Sequence, residues 1–193
     1  MSAPETINYR SIPSNDTLKS WPVRGWPTNL LTSEEKMRMV YACENYQDPA
    51  IISLAFDAYV RPAELAQLMW KDVAVDEMGA VITLRGMTRE PRDVQSCMAA
   101  KYLVEWWNHY PLDPRGENLV FLNSHNQPLT YHILNTRIRR IAERAGIQKE
   151  VTLHLLRRSG ITDAIRRGVP AAVIKKQGWG KTSLLPQSLW EDS

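Results

Sequence analysis

His154 and Arg157 stand three residues apart in His154-Leu155-Leu156-Arg157-Arg158-Ser159-Gly160-Ile161-Thr162, a stretch that continues to Gly168-Val169-Pro170. On a helix this spacing puts an imidazole and a guanidinium on one face, where both can point at a single anion. That is the chemistry of gripping a phosphate. The same pair also occurs on solvated helix faces and at capped helix ends, so the surrounding sequence has to decide.

The charge around the pair is one-sided. From Tyr131 to Lys181, twelve Lys or Arg stand against three acids, a net +9, so the remainder of a chain of net charge +3 carries −6. Such a segment attracts a polyanion by steering and counterion release, and nucleic acid is the commonest polyanion. A set of solvated basic helix faces has the same composition. Duplex DNA is the expected partner, and Arg89, Arg92, Arg137, Arg139, Arg140, Arg158, Lys175, Lys176 and Lys181 are the cations expected to reach it.

At 193 residues, 44% hydrophobic and 23% charged, the chain is long enough for one sizeable core with a small appendage. No apolar run approaches a membrane span, and Met1-Ser2-Ala3-Pro4-Glu5 lacks the basic and apolar regions of a secretory signal. A cytoplasmic protein associated with the nucleoid is expected. Cys43 and Cys97 lie in apolar stretches without a companion at metal-ligand spacing. Both are expected to be reduced core residues, and no metal or organic cofactor is called for.

The elements that must position these groups follow from punctuation and periodicity. Residues 1–31 carry Pro4, Pro13, Pro22 and Pro27 without sustained periodicity and read as an extended arm or linker before one domain, 32–193. Thr32-Ser33-Glu34-Glu35 is a capping box opening a first helix. Asp48-Pro49 opens a second helix over 50–58, and Arg61-Pro62 a third to about Met69. The pattern then switches to strands at Asp72–Val75, Val81–Arg85 and Arg92–Ser96, with turns at Glu77-Met78-Gly79 and Gly86–Pro91. Helices follow at Ala99–His109, Tyr131–Ala145, Thr152–Arg167 and Pro170–Gln177, the last ended by Gly178. The fold class is α+β, mostly helical, with a small three-stranded antiparallel sheet.

Within this order, Arg61-Pro62-Ala63-Glu64-Leu65 resembles an Arg-Ile-Ser-Glu-Leu box, His154-Leu155-Leu156-Arg157 a His-x-Leu-Arg box, and Gly178-Trp179 a glycine followed by histidine or tryptophan. Leu31-Thr32-Ser33-Glu34-Glu35, Trp70-Lys71-Asp72-Val73 and Gly168-Val169-Pro170 are also typical at their places. Together these boxes resemble the catalytic domain of the tyrosine recombinases, the phage-integrase superfamily, over about residues 30–190, most closely the integrases of archaeal and bacterial mobile elements. The resemblance implies that a tyrosine hydroxyl attacks a DNA phosphodiester and a 5′ hydroxyl leaves. Charge then builds on the non-bridging oxygens, and Arg61 and Arg157 match the two guanidiniums that clamp them. Lysine lacks that planar fork. His154 would donate a hydrogen bond or handle a proton, and Trp179 would donate its indole N–H. Glu64 would orient Arg61 or its neighbours. Ordinary structure offers a rival account of each: an ion pair for Arg61, an exposed helix carboxylate for Glu64, a core aromatic for Trp179.

Two positions depart from that family. Where it carries a lysine between the second and third strands, the sequence reads Gly86-Met87-Thr88-Arg89-Glu90-Pro91-Arg92. Met87 has no proton to give, and a guanidinium is a poor acid. Where its tyrosine nucleophile belongs, the sequence reads Pro186-Gln187-Ser188-Leu189-Trp190-Glu191-Asp192, with Trp190 aligned and no tyrosine after Tyr131. Ser188 has the wrong reach and no adjacent base. Residues 1–31 are also too short for the family's N-terminal DNA-binding domain. The expectation is a DNA-binding catalytic domain for site-specific recombination and integration that holds its phosphate and does not cleave. The alternatives are an active recombinase using a tyrosine from a different protein or one removed from this chain, and a non-enzymatic binding module. A short amphipathic tail carrying Leu184, Leu185, Leu189 and Trp190 is expected either to support self-association on DNA or to pack over Trp179.

Overall fold

The computed structural model describes residues 29–86 and 89–179; most of the expected arm, Met87, Lys181, Trp190 and the tail lie outside the described residues. In chain order the elements are α1 (Ser33–Tyr41), α2 (Asp48–Asp57), α3 (Pro62–Gln67), β1 (Val73–Asp76), β2 (Gly79–Gly86), β3 (Arg89–Ser96), α4 (Cys97–Asn108), α5 (Tyr131–Arg144), α6 (Leu153–Arg166) and α7 (Ala171–Trp179). The mostly helical α+β architecture with one three-stranded sheet is the one the sequence predicts.

Helix starts are set locally. The Thr32 hydroxyl accepts from Glu35 N at 3.0 Å and Glu35 Oε2 accepts from Thr32 N at 2.8 Å, closing the capping box of α1. Ser96, Thr130 and Thr152 cap α4, α5 and α6 with the side-chain half of that motif, each hydroxyl accepting from the backbone N–H three residues on. Leu30 and Leu31, assigned to the arm by sequence, are buried: Leu31 N donates to Ser159 Oγ at 2.9 Å and Lys149 Nζ to Leu30 O at 2.7 Å.

α2 is the axis of the core. Ala50, Ile51, Ile52, Leu54, Ala55 and Phe56 are all buried, so the helix is apolar around its circumference and is held by packing rather than by propensity. α6 and α4 both pack on it. The approach of α6 is close because Gly160 has no side chain: a Cβ there would lie 1.8 Å from Phe56 O.

The sheet runs β1-β2-β3, antiparallel throughout. Asp76 Oδ1 accepts from Met78 N and Gly79 N to make the first turn, and Gly79 takes φ +137°, where a Cβ is strained. The second turn departs from expectation. β3 starts at Arg89, opposite Gly86, and runs through Pro91, with a register shift between Leu84 and Gly86. β3 is an edge strand, where a residue without an N–H is tolerated. Ala80, Ile82 and Leu84 pair with Ser96, Val94 and Arg92, and all six are buried on one face.

Two further expectations are corrected, for α7 and Cys97, while Cys43 packs against the core as a free thiol. α7 continues through Gly178 to Trp179, because its last carbonyls find donors described below. Cys97 is exposed in the first turn of α4, not in the core. Cys43 is half-buried, and burial beside Asp48 pushes its thiol up to about 12, which keeps it protonated and inert. Among the described residues no helix is long and apolar enough to cross a membrane.

Candidate functional site

The chain leaves α2 through Tyr59, whose φ of 55° is unusual for a bulky side chain, and Val60 N donates to Leu54 O at 3.1 Å. The turn delivers Arg61 in extended backbone (φ −81°, ψ 152°), the conformation the following proline favours, at the N-terminus of α3. One helical turn on, Glu64 reaches back. Its Oε2 accepts from Arg61 N at 2.7 Å and its Oε1 from Arg61 Nη1 at 2.9 Å.

Glu64 is buried, which excludes an exposed helix carboxylate, and it faces a second guanidinium. Arg92 donates from Nη2 to Glu64 Oε2 at 2.9 Å, from Nη1 to Oε1, and from Nε to Gln177 O at 2.8 Å. Burial alone would push the Glu64 carboxyl up. The bonds from Arg92, its charge, the Arg61 backbone N–H and the Arg61 charge together hold it below the ordinary 4.5. On the far side, Arg157 is buried in α6 and donates from Nη2 to Gly178 O at 3.0 Å. The last turn of a helix leaves carbonyls without partners, and here two adjacent ones are taken by guanidiniums from β3 and α6. The residues around Arg61, Arg157 and Gly178 thus converge on one end of α7.

The arrangement has an electrostatic consequence. A carboxyl held low in the folded state adds stability that is full above its unfolded value and fades as pH falls through the folded one. The stability gap between the parent and Glu64→Gln is therefore expected to narrow as pH drops below 4.5, read by urea unfolding at a series of pH values. A gap unchanged down to strongly acid pH would show that the Glu64 charge contributes nothing.

Residues 29–183 match the phage integrase family. The chain belongs to that family. Transposase A of transposon Tn554 from Staphylococcus aureus is 26% identical over 160 residues, 76% of this chain and 44% of the relative. The crystal structure of XerA recombinase superposes with a TM-score of 0.71 at 26% identity, covering 82% of this chain and 58% of that one. XerH site-specific recombinase bound to difH substrate superposes at 0.65 with 23% identity, covering 80% and 47%, and shares the fold. This phage integrase domain is a tyrosine recombinase catalytic domain, and it spans less than two thirds of the length of these relatives.

The other expected site residues of the integrase domain separate into groups. His154 and Arg157 are not two exposed groups on one surface: Arg157 turns inward to α7, while His154 is exposed with the Tyr131 ring 6.0 Å away. No sequence spacing signals that aromatic neighbour. Trp179 closes α7, and Arg89 pairs with Gly86 through the backbone. Arg139, Arg140, Arg158 and Lys176 are exposed and Lys175 is half-exposed. Arg92 is not a surface cation, because Glu64 and the Gln177 carbonyl, both buried against it, require its donors. Arg137 is not one either: it lies 3.5 Å from the buried Asp48 and donates to Leu122 O. Lys149 is half-buried against Glu35, whereas Arg144 and Arg167 are exposed and paired with Glu44 and Asp163. The basic field is consequently smaller than the count of cations suggests.

Proposed function

We propose that this chain is the DNA-gripping catalytic domain of a tyrosine recombinase acting in site-specific recombination and integration, and that it holds a phosphodiester between Arg61 and Arg157 without cleaving it. The observation that carries the reading is the network Arg61–Glu64–Arg92–Gln177 O beside Arg157–Gly178 O, which gathers three separated segments at one end of α7. Two guanidiniums so placed stabilise charge building on phosphate oxygens. His154, exposed at the start of α6, supplies a donor at the same helix, and Trp179 supplies an indole N–H. The Tn1549 transposon integrase, of the same fold, is in complex with circular intermediate DNA in its structure, which supports double-stranded DNA as the partner here. The domain is taken as residues 32–193, with Leu30 and Leu31 of the preceding arm packed against it.

The exposed Arg139, Arg140, Arg158 and Lys176 give the expected strength of the electrostatic component. Four phosphates neutralised imply that affinity for duplex DNA falls about a hundredfold between 50 and 200 mM salt. A titration showing no association at low salt overturns the reading. The absence of cleavage rests on Met87 and on a stretch 186–192 with no tyrosine, so neither a leaving-group acid nor a nucleophile is supplied. A nicked suicide substrate is expected to trap no covalent adduct with the unaltered chain, and an adduct would refute the claim. Paired Met87→Lys and Trp190→Tyr substitutions are expected to restore trapping that neither gives alone. We assign the tail to self-association on DNA; removing residues 184–193 is expected to abolish higher-order complexes on DNA, and their persistence rejects the assignment.

A further inference from the structure

We propose that Arg92 is a positioning residue that places the Arg61 guanidinium and the C-terminal turn of α7 in one register, so that the two sides of the phosphate clamp are set together. The proposal deepens the reading above and rests on it. Nε, Nη1 and Nη2 of Arg92 all donate to acceptors within the protein, so Arg92 acts on the clamp from behind rather than on DNA. Its three donor groups are directed to two elements at once: Nη1 and Nη2 to the two oxygens of Glu64 on α3, Nε to Gln177 O on α7. Those same two oxygens hold Arg61, by its backbone N–H and by Nη1. A carboxylate gripped on both oxygens by a rigid fork cannot rotate to follow Arg61, so the orientation of Arg61 is dictated from Arg92.

On the α7 side, Gln177 O takes Arg92 and the next carbonyl, Gly178 O, takes Arg157. A shift of α7 would therefore break contacts to β3 and to α6 together. Only a planar guanidinium spans this arrangement. A lysine at 92 keeps the charge, but its three N–H groups leave a single nitrogen, which cannot reproduce the parallel bonds of a planar fork to Glu64 and reach the Gln177 carbonyl as well.

The test compares Arg92→Lys and Arg92→Met, each alone and combined with Arg61→Ala, using a mixed-sequence duplex oligonucleotide and amide hydrogen exchange. Arg92→Lys is expected to weaken DNA binding about tenfold in the parent and to have no effect once Arg61 is alanine, because coupled residues are not additive. Exchange of the amides of 171–179 is expected to speed up while those of α2 and α6 stay protected. An equal loss of affinity with and without Arg61, or unchanged protection of α7 in the lysine variant, overturns the proposal. If Arg92→Met does not fold, Arg92→Lys decides alone. Should the parent fail to bind DNA, the reading under Proposed function falls, while hydrogen exchange still tells whether Arg92 holds α7.

Discussion

Replacing Glu64 with leucine is expected to cost about 3–5 kcal/mol of folding stability, the range found when one member of a buried ion pair is removed. Leucine fills the volume but leaves Arg92 buried with no counter-charge, and Arg61 loses two of its bonds. Glutamine is expected to cost less, since it keeps one acceptor oxygen while turning an N–H toward a guanidinium. The exposed pair between Lys71 and Glu117 supplies the contrast: solvent screens it, and Glu117→Gln is expected to leave stability almost untouched. Urea unfolding at neutral pH measures all three. A loss below about 1 kcal/mol for Glu64→Leu would place the network among interactions of surface strength.

Gly160→Ala is expected to destabilise the fold by about 1–2 kcal/mol, the overpacking cost less the gain in helix propensity. Two effects oppose each other. Alanine in a helix interior is better than glycine by about 1 kcal/mol. Against this, the added methyl carbon meets the Phe56 carbonyl at 1.8 Å, a backbone group that no rotamer change can remove, and overpacking of this kind costs about 1–3 kcal/mol or more. The clash wins because α2 and α6 must separate to relieve it. Thermal unfolding of the variant tests this, and an increase in Tm would mean that α6 can slide on α2 freely.

The parts of the fold that were legible in the sequence are those set by local chemistry. Thr32 with Glu35, Thr130 and Thr152 each announce a helix start because the cap bonds span only three residues. The boxes around Arg61, Arg157 and Gly178 were likewise visible as motifs. Partners far apart in sequence were not. Arg92, at the start of the third strand beside the turn, read as a DNA-binding cation, yet Arg92, Val94 and Ser96 alternate as one strand face, and that period places Arg92 inward with Val94. The burial of Glu64 and the pairing of Arg137 and Lys149 with Asp48 and Glu35 depend on tertiary contacts that no spacing reveals. The exposed Cys97 failed for a related reason, since an apolar neighbourhood in sequence does not say which side of a helix faces the core.

The seat of Gly160 against Phe56 also bears on synthesis at the ribosome. The two residues lie roughly 100 positions apart, so at about 5–20 residues per second α2 leaves the exit tunnel roughly 5–20 s before the helix that covers it. Through that interval α2, apolar around its circumference, has no α6 to bury it. Nascent chains arrested between α2 and α6 should therefore depend on chaperones such as holdases, and the dependence should vanish once the chain has grown past residue 166 and cleared the tunnel.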